Sequence, residues 1–348
     1  MAAKLISTDW KRLPCEIDLL NLGITLACGQ AFRWKKINDD EWRGVLSGKV
    51  WTFKQSSDGI FYKFTCKLKE IPNPAHEAIL HEYFHLNIDV RHLYKRWSSR
   101  DINFKRVASS ISGFRLLRQD PVENLFSFIC SSNNNIERIS SMVEAMCVKY
   151  GDVIAEVNDV VYHKFPSIDT LAKAEVEQEL REMKFGYRAK YIHETAKALL
   201  KKSNKNWLQS LRDVPYEEAH AALCELPGVG AKVADCVCLM SLDKTNAIPV
   251  DTHVWQISCR DYQIPELKGA KTLTKSIYKA IGDYFRQLYG EHAGWANSVL
   301  FSGDLKKFKD SHSKSSPAKS MKNSKELKRK SGTERVSVYS KVKKECNS

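Results

Sequence analysis

The apolar residues of this chain change their spacing once, near residue 75. Before that point Tyr62, Phe64, Cys66 and Leu68 alternate with polar neighbours, and Val50-Trp51-Thr52-Phe53 is rich in β-favouring side chains. Turn signals at Ser47-Gly48 and Ser56-Ser57-Asp58-Gly59 divide the region, so residues 30–68 read as antiparallel strands. Beyond residue 75 the spacing becomes three and four, as in Val233, Val237 and Met240, and stays so to about residue 305. The short apolar stretch Leu125 to Ile129 fits a buried helix of the same body. The expected class is α+β: a small antiparallel β-rich N-terminal domain over 1–105, an α-helical body over 106–305, and a tail over 306–348.

The tail carries most of the charge. Its 14 Lys and Arg against 4 Asp and Glu supply +10 of the formal +14, leaving +4 for residues 1–305. With many Ser and few large apolar residues, it is expected to be a disordered basic appendage. Its run Lys325-Glu326-Leu327-Lys328-Arg329-Lys330 reads as a nuclear localisation signal, as a non-specific nucleic-acid arm, or as a solubilising segment. The whole chain is 43% apolar, and the part before the tail is long enough to bury a core. No stretch reaches the roughly 18 apolar residues of a membrane span, and Met1 to Pro14 lacks a secretory apolar region, so an intracellular protein with no membrane partner is expected. The ten cysteines are scattered at irregular spacing, which reads as free thiols, without the close four-Cys grouping of an iron–sulfur cluster. No metal site and no cofactor are expected.

The segment that carries chemistry is Leu226-Pro227-Gly228-Val229-Gly230-Ala231-Lys232, between the expected helices Tyr216–Cys224 and Ala231–Leu242. This is a helix-hairpin-helix signature spanning about 216–242. Its Gly-rich turn offers backbone N–H groups around Gly228, Gly230 and Val233 to a phosphate, because orphan donors and the helix dipole both favour an anion. Alone it reads as sequence-independent DNA binding or as a tight turn in a helical bundle. Lys232 adds a nucleophile, since an amine at a helix start beside a buried face has its charged form disfavoured. Asp251, in Pro249-Val250-Asp251-Thr252-His253, reads as an N-cap, or, if it faces Lys232 across a pocket, as a stabiliser of positive charge on a sugar.

Several separated segments then bring in a resemblance. Gly29-Gln30-Ala31-Phe32-Arg33-Trp34, Leu117-Arg118-Gln119-Asp120-Pro121, Phe126 to Asn135, Gly186-Tyr187-Arg188-Ala189, the hairpin and Gly294-Trp295-Ala296 all resemble the eukaryotic 8-oxoguanine DNA glycosylases of the helix-hairpin-helix superfamily. The resemblance runs from about Leu13 to Leu305. It implies that Lys232 attacks the sugar C1′, forms a Schiff base and supports β-elimination on the 3′ side, with Asp251 as the catalytic carboxylate. It also implies a base flipped from duplex DNA that carries oxidised guanine opposite cytosine. Asn133 is then the residue entering the gap, Arg138 and Arg188 the donors to the orphaned cytosine, and Tyr187 a wedge. In the base pocket Gly29 offers its backbone to the N7 hydrogen of oxidised guanine, Phe301 and Cys236 sandwich the base, and His253 contacts phosphate or shapes the site. One position departs from the pattern: Asn297 stands where the family is expected to carry Gln, four residues before Phe301, and is one methylene shorter.

Two other readings stand beside this one: a helix-hairpin-helix glycosylase for a different damaged base, and a non-catalytic DNA-damage-binding module. The missing cluster cysteines speak against the oxidised-pyrimidine branch, and the pairing of Lys232 with Asp251 speaks against a silent module. A nuclear protein is expected from substrate and basic run, with a mitochondrial form left open. A monomer is expected because one hairpin and one pocket suffice.

Overall fold

The computed structural model describes residues 5–57, 59–67 and 76–314, with side chains described to residue 305. Six strands form one antiparallel sheet. They are β1 (Leu5–Ser7), β2 (Lys11–Leu13), β3 (Lys35–Lys36), β4 (Glu41–Leu46), β5 (Lys49–Ser56) and β6 (Gly59–Lys67). The order is β1-β6-β5-β4-β3, with β2 also paired to β6. The turn between β4 and β5 places Ser47 and Gly48 both at positive φ, 48° and 69°, which matches the twist of the strands it joins. Ile60, Tyr62, Phe64 and Cys66 alternate inward along β6 as their spacing predicts, while Leu68 lies outside the described residues. Their buried face meets Trp34, Trp42, Trp51 and Phe53, and Leu80, Tyr83 and Phe84 from the helix His76–Tyr83 and the residue after it. Tyr83 is anchored there by the Trp34 indole N–H, 2.7 Å from its hydroxyl.

Two strand regions were not anticipated. β1 and β2 are three residues each, too short to show a period of two, and they are fixed by pairing with β6 rather than by their own pattern. Inside the helical body, β7 (Val153–Val157) and β8 (Val160–His163) form a hairpin on a two-residue turn, Asn158 and Asp159, both left-handed. Ile154, Ala155 and Tyr162 bury against Val50 of the sheet, so tertiary contact holds a strand pair amid helical sequence.

The helices pack around one large core. Its centre is the helix Ala231–Ser241, eight of whose residues are buried, set against the helix Pro121–Ile129 that holds Leu125 to Ile129 as expected. Asp120 caps the latter through Val122 N–H and Glu123 N–H, with Pro121 at the first helical position where no N–H is needed. Cys28 and Phe32, from the segment preceding the sheet hairpins, belong to this core, and Leu117 belongs to that of the sheet, so the two cores exchange residues across position 105. The described residues up to 309 accordingly group as one unit. The last helix runs Ala293–Lys314, past the expected end of the body at 305, because extending an existing helix needs no new nucleus. The rest of the expected tail, 315–348, lies outside the described residues. Among the described residues no helix is long and apolar enough to cross a membrane, and no group of three or more His, Cys, Asp or Glu could hold a metal ion.

Candidate active site

The hairpin is built by its glycines in different ways. Gly228 has φ +73°, and a Cβ there would lie 2.4 Å from Cγ of Tyr191, so this position needs glycine twice over. The Thr195 hydroxyl ties the turn down by donating to the Pro227 carbonyl at 2.6 Å. Gly230 is exposed and extended, with open space where a Cβ would stand, and no side chain caps the helix it begins. Among the described residues no side chain therefore accepts from the N–H groups of Ala231, Lys232 and Val233. The Val233 side chain is buried in the core, which leaves only its backbone as a candidate contact.

Lys232 is half-buried one residue into that helix. Its ammonium donates to the Ser131 hydroxyl at 3.1 Å and stands 4.9 Å from the centre of the Phe128 ring. One turn on, Cys236 is 2% exposed. Burial pushes its thiol up to about 12, with Lys232 pulling it down and Asp235 and Asp251 pushing it further up. One neutral thiol thus feels both expected catalytic charges. Among the described residues no ion pair joins Lys232 to Asp251, so neither is neutralised by direct contact with the other. Asp251 is indeed an N-cap: its Oδ1 accepts from the Val254 N–H at 2.9 Å and starts the helix Thr252–Ile257. Its second oxygen accepts no hydrogen bond among the described residues.

A second element approaches the lysine from the end of the helix Pro121–Ile129. The loop Ser131–Asn135 presents Asn133 exposed, in the left-handed region at φ +48°. Asn134 folds back to the Cys130 carbonyl at 2.9 Å, and Asn135 caps the helix Ile136–Tyr150 through the Arg138 N–H at 2.9 Å. Tyr187 donates to the Ser132 carbonyl at 3.0 Å. Arg188 donates to the same carbonyl and to that of Asn133, while its guanidinium lies 4.7 Å from the centre of the Tyr187 ring. Arg188 is only 5% exposed, and its Nε is buried without a partner. The Arg188 guanidinium thereby braces the loop that carries Asn133. The Arg138 side chain is exposed and engaged with nothing among the described residues, and half of the Tyr187 ring faces solvent.

The expected base-pocket residues come from three segments. Gly29 has φ +82°, and a Cβ would lie 2.7 Å from the end of Ile136, so its carbonyl is set by a turn that only glycine makes without strain. The neighbouring Cys28 thiol, pushed up to about 11 by burial, interacts with Ser302 and so links this turn to the last helix. On that helix Asn297 is 3% exposed, and its Oδ1 is buried with no partner. Phe301 is half-buried with its ring edge-on to His253 at 5.6 Å. His253 Nδ1 lies 3.1 Å from Asp304 Oδ2, and Asp304 also pairs with Arg260 at 3.0 Å. Ser131, Phe128 and Asp304 had no assigned role from sequence. Ser131 lies inside a recognised motif, but only tertiary contact brings it to Lys232.

Comparison with known proteins places the chain in a family. Residues 12–125 match the family model described as 8-oxoguanine DNA glycosylase, N-terminal domain, and residues 126–282 match that of the HhH-GPD superfamily base excision DNA repair proteins. The chain is 42% identical over 300 residues to the N-glycosylase/DNA lyase OGG1 of Arabidopsis thaliana, covering 85% of this chain and 80% of that one. The chain belongs to the 8-oxoguanine DNA glycosylase family. A second relative in the family, the N-glycosylase/DNA lyase of Saccharomyces cerevisiae, is 36% identical over 330 residues, covering 86% of this chain and 87% of that one. Among solved structures, the Clostridium acetobutylicum 8-oxoguanine glycosylase/lyase aligns with a TM-score of 0.73 and 28% identity, over 86% of this chain and 99% of that one. It was solved with double-stranded DNA containing cytosine opposite 8-oxoguanine. In this family's terms, the hairpin and both helix starts lie in the base-excision domain, and the Gly29 turn lies in the N-terminal one.

Proposed function

We propose that this chain excises 8-oxoguanine lying opposite cytosine in duplex DNA and then cleaves the strand, with Lys232 as nucleophile. The observation that carries the reading is the Lys232 amine at an uncapped helix start, bonded to the Ser131 hydroxyl, with Asp251 at the start of the next helix. The hairpin N–H groups bind a backbone phosphate, which positions the protein without reading sequence. The lesion leaves the stack at a cost of a few kcal/mol. Asn133, at the exposed tip of its loop, fills the gap, Tyr187 wedges the step, and Arg138 reaches the orphaned cytosine. Arg188 holds the loop that carries Asn133.

The Lys232 ammonium gives up a proton, and the freed amine attacks C1′ as the bond from C1′ to the base nitrogen breaks. The base leaves with the bonding electron pair and takes up a proton. Asp251, with one oxygen committed to its helix and one free, stabilises the positive charge that builds on the sugar. Loss of a proton from the Lys232 nitrogen and opening of the sugar ring give the imine. Removal of a proton from C2′ then expels the 3′ phosphate. Discrimination falls to the Gly29 carbonyl, which accepts from the N7–H of the oxidised base and meets only a lone pair at N7 of guanine. Such a lost buried hydrogen bond is worth about 1–3 kcal/mol. The orphaned Oδ1 of Asn297 is an acceptor for donors on the base edge.

Borohydride trapping on a duplex with one 8-oxoguanine opposite cytosine tests the reading. A covalent adduct absent from Lys232→Gln and from undamaged duplex is expected; an adduct that survives in Lys232→Gln refutes the assignment. The same reading makes the protein a monomer, supported by one hairpin and one pocket, and places it in the nucleus, supported by the basic run Lys325 to Lys330. Sedimentation with DNA, and a fluorescent fusion with Lys328, Arg329 and Lys330 replaced by Ala, check these two points.

A further inference from the structure

One buried carboxylate in this site is not used by the chemistry above. Asp235 is 1% exposed, three residues after Lys232 on the same helix. Two phenols hold it: Tyr216 donates to its Oδ1 at 2.7 Å and Tyr278, from the helix Lys275–Tyr289, donates to its Oδ2 at 2.5 Å. His220 stands 3.8 Å away, and Arg286 acts on it at longer range. Burial pushes Asp235 up while the two phenols pull it down. Burial and the Asp235 charge push both tyrosines up, so they stay protonated as donors.

The Tyr278 hydroxyl does a second thing. Its oxygen accepts the Val250 N–H at 3.2 Å. Its one proton goes to Asp235, which leaves the more distant Ile248 carbonyl, at 3.4 Å, a poor competitor. Val250 is buried, is preceded by Pro249, which has no N–H, and is followed directly by Asp251. A continuous path therefore runs from the helix bearing Lys232, through Asp235 and Tyr278, to the backbone one residue before the catalytic carboxylate. The last hydrogen bond before Asp251 is made to a group whose orientation is fixed by the helix of the nucleophile.

We propose that Tyr278 and Asp235 are positioning residues that set the placement of the Asp251 carboxylate relative to Lys232. The inference rests on the roles given to those two residues above. Tyr278 touches neither substrate nor reacting atoms; it acts by fixing where the Thr252–Ile257 helix begins. Using a buried carboxylate rather than an amide makes the phenol's proton direction unambiguous, so its lone pairs are always left for Val250.

The test uses the full chain with Tyr278→Phe, Asp235→Asn, and each combined with Asp251→Asn. Single-turnover excision at saturating enzyme is measured beside the Kd for a duplex holding a non-cleavable abasic analogue. Tyr278→Phe is expected to slow excision by about tenfold to a hundredfold, the scale of a small misplacement, with Kd unchanged. In the Asp251→Asn background it is expected to cost no more than about twofold further, because the residue it positions is already disabled. Asp235→Asn, which keeps the shape but lets the phenol turn to Ile248, is expected to give the same pattern, and it stands in if Tyr278→Phe does not fold. Excision unchanged in the single variants, a loss that tracks Kd, or an equal fold loss in both backgrounds would each overturn the proposal. Failure of the underlying assignment is separate: it shows as an adduct surviving in Lys232→Gln.

Discussion

The two hairpin glycines separate folding from binding, and a pair of alanine substitutions reads them apart. At Gly228 a Cβ meets Cγ and Cβ of Tyr191 at 2.4 and 2.5 Å on a backbone at φ +73°. The left-handed conformation costs about 1–2 kcal/mol for a non-glycine residue. Displacing a packed ring adds about 1–3 kcal/mol. Gly228→Ala is therefore expected to lose about 2–5 kcal/mol, and at about 2–4 °C per kcal/mol its melting temperature drops by roughly 4–20 °C. Gly230 is extended at φ −94° and ψ 177° with nothing within 4 Å of an added Cβ. There the small gain from a less flexible unfolded chain offsets the small loss of glycine as a cap, so Gly230→Ala stays within about 0.5 kcal/mol of the parent. On the proposed reading, however, its methyl group stands where the phosphate binds. Losing one charge-assisted hydrogen bond of about 1.5–3 kcal/mol weakens binding by roughly tenfold to a hundredfold. Thermal unfolding and fluorescence anisotropy on an abasic-analogue duplex give both numbers. The reasoning fails if Gly230→Ala melts as early as Gly228→Ala, or if it binds the duplex as tightly as the parent.

Three further outcomes follow from single contacts. Ser131→Ala removes the 3.1 Å bond to Lys232 and leaves the fold intact; excision should slow by about twofold to tenfold, as single-turnover kinetics would show. Asn297→Gln is expected to leave excision of 8-oxoguanine unchanged or to improve it, because the Asn297 Oδ1 is an unpartnered acceptor that a longer amide extends toward the base. A loss of several orders of magnitude would mean that asparagine is specifically fitted there. Burial raises Asp243, but hydrogen bonds from His85 and Arg118, the latter two-pronged at 2.7 and 2.8 Å, hold it well below the usual carboxylate range. With the folded value depressed, its stabilisation is present above the ordinary carboxylate range and is lost as pH falls below it. Chemical denaturation across pH 5 to 2 should therefore show a shallower acid loss in Asp243→Asn than in the parent, and identical slopes would contradict the assignment.

What the sequence disclosed, and what it hid, divides along physical lines. The strands of β6 and the helices flanking the hairpin were legible because each buries one face, and burial of one face writes a period into the chain. Tyr216–Cys224 came out with its expected bounds because Pro215 and the Gly-rich turn punctuate it. The β7–β8 hairpin was hidden because its strands are short and are stabilised by Val50, more than a hundred residues earlier. The candidate site divides in the same way. Lys232, Cys236 and Asp251 lie on or beside a legible motif, whereas Ser131, Asp304 and the Tyr278 bridge are tertiary neighbours that no spacing announces. Arg188 is the instructive case: its motif reads as a donor to a ligand, and only the fold shows that it also braces two carbonyls of its own chain.

Asp251 can be read from sequence as a helix cap or as a catalytic carboxylate; the geometry shows the cap, and on the proposed reading the cap aims the carboxylate for the second role. One oxygen accepts the Val254 N–H, which fixes the rotation of the carboxylate, and the other is left over. The two functions make different demands on the side chain. Capping needs an acceptor at the right distance, which asparagine supplies about as well as aspartate. Stabilising positive charge on a sugar needs the negative charge, which asparagine lacks. Asp251→Asn is therefore expected to melt with the parent and to lose excision by orders of magnitude while still binding damaged duplex. Asp251→Ala is expected to lose both, with about 1 kcal/mol removed from stability. If Asp251→Asn melts as low as Asp251→Ala, the cap depends on charge through the helix dipole rather than on the hydrogen bond. If it excises as fast as the parent, the carboxylate is a structural cap alone and the charge that meets the sugar must come from elsewhere.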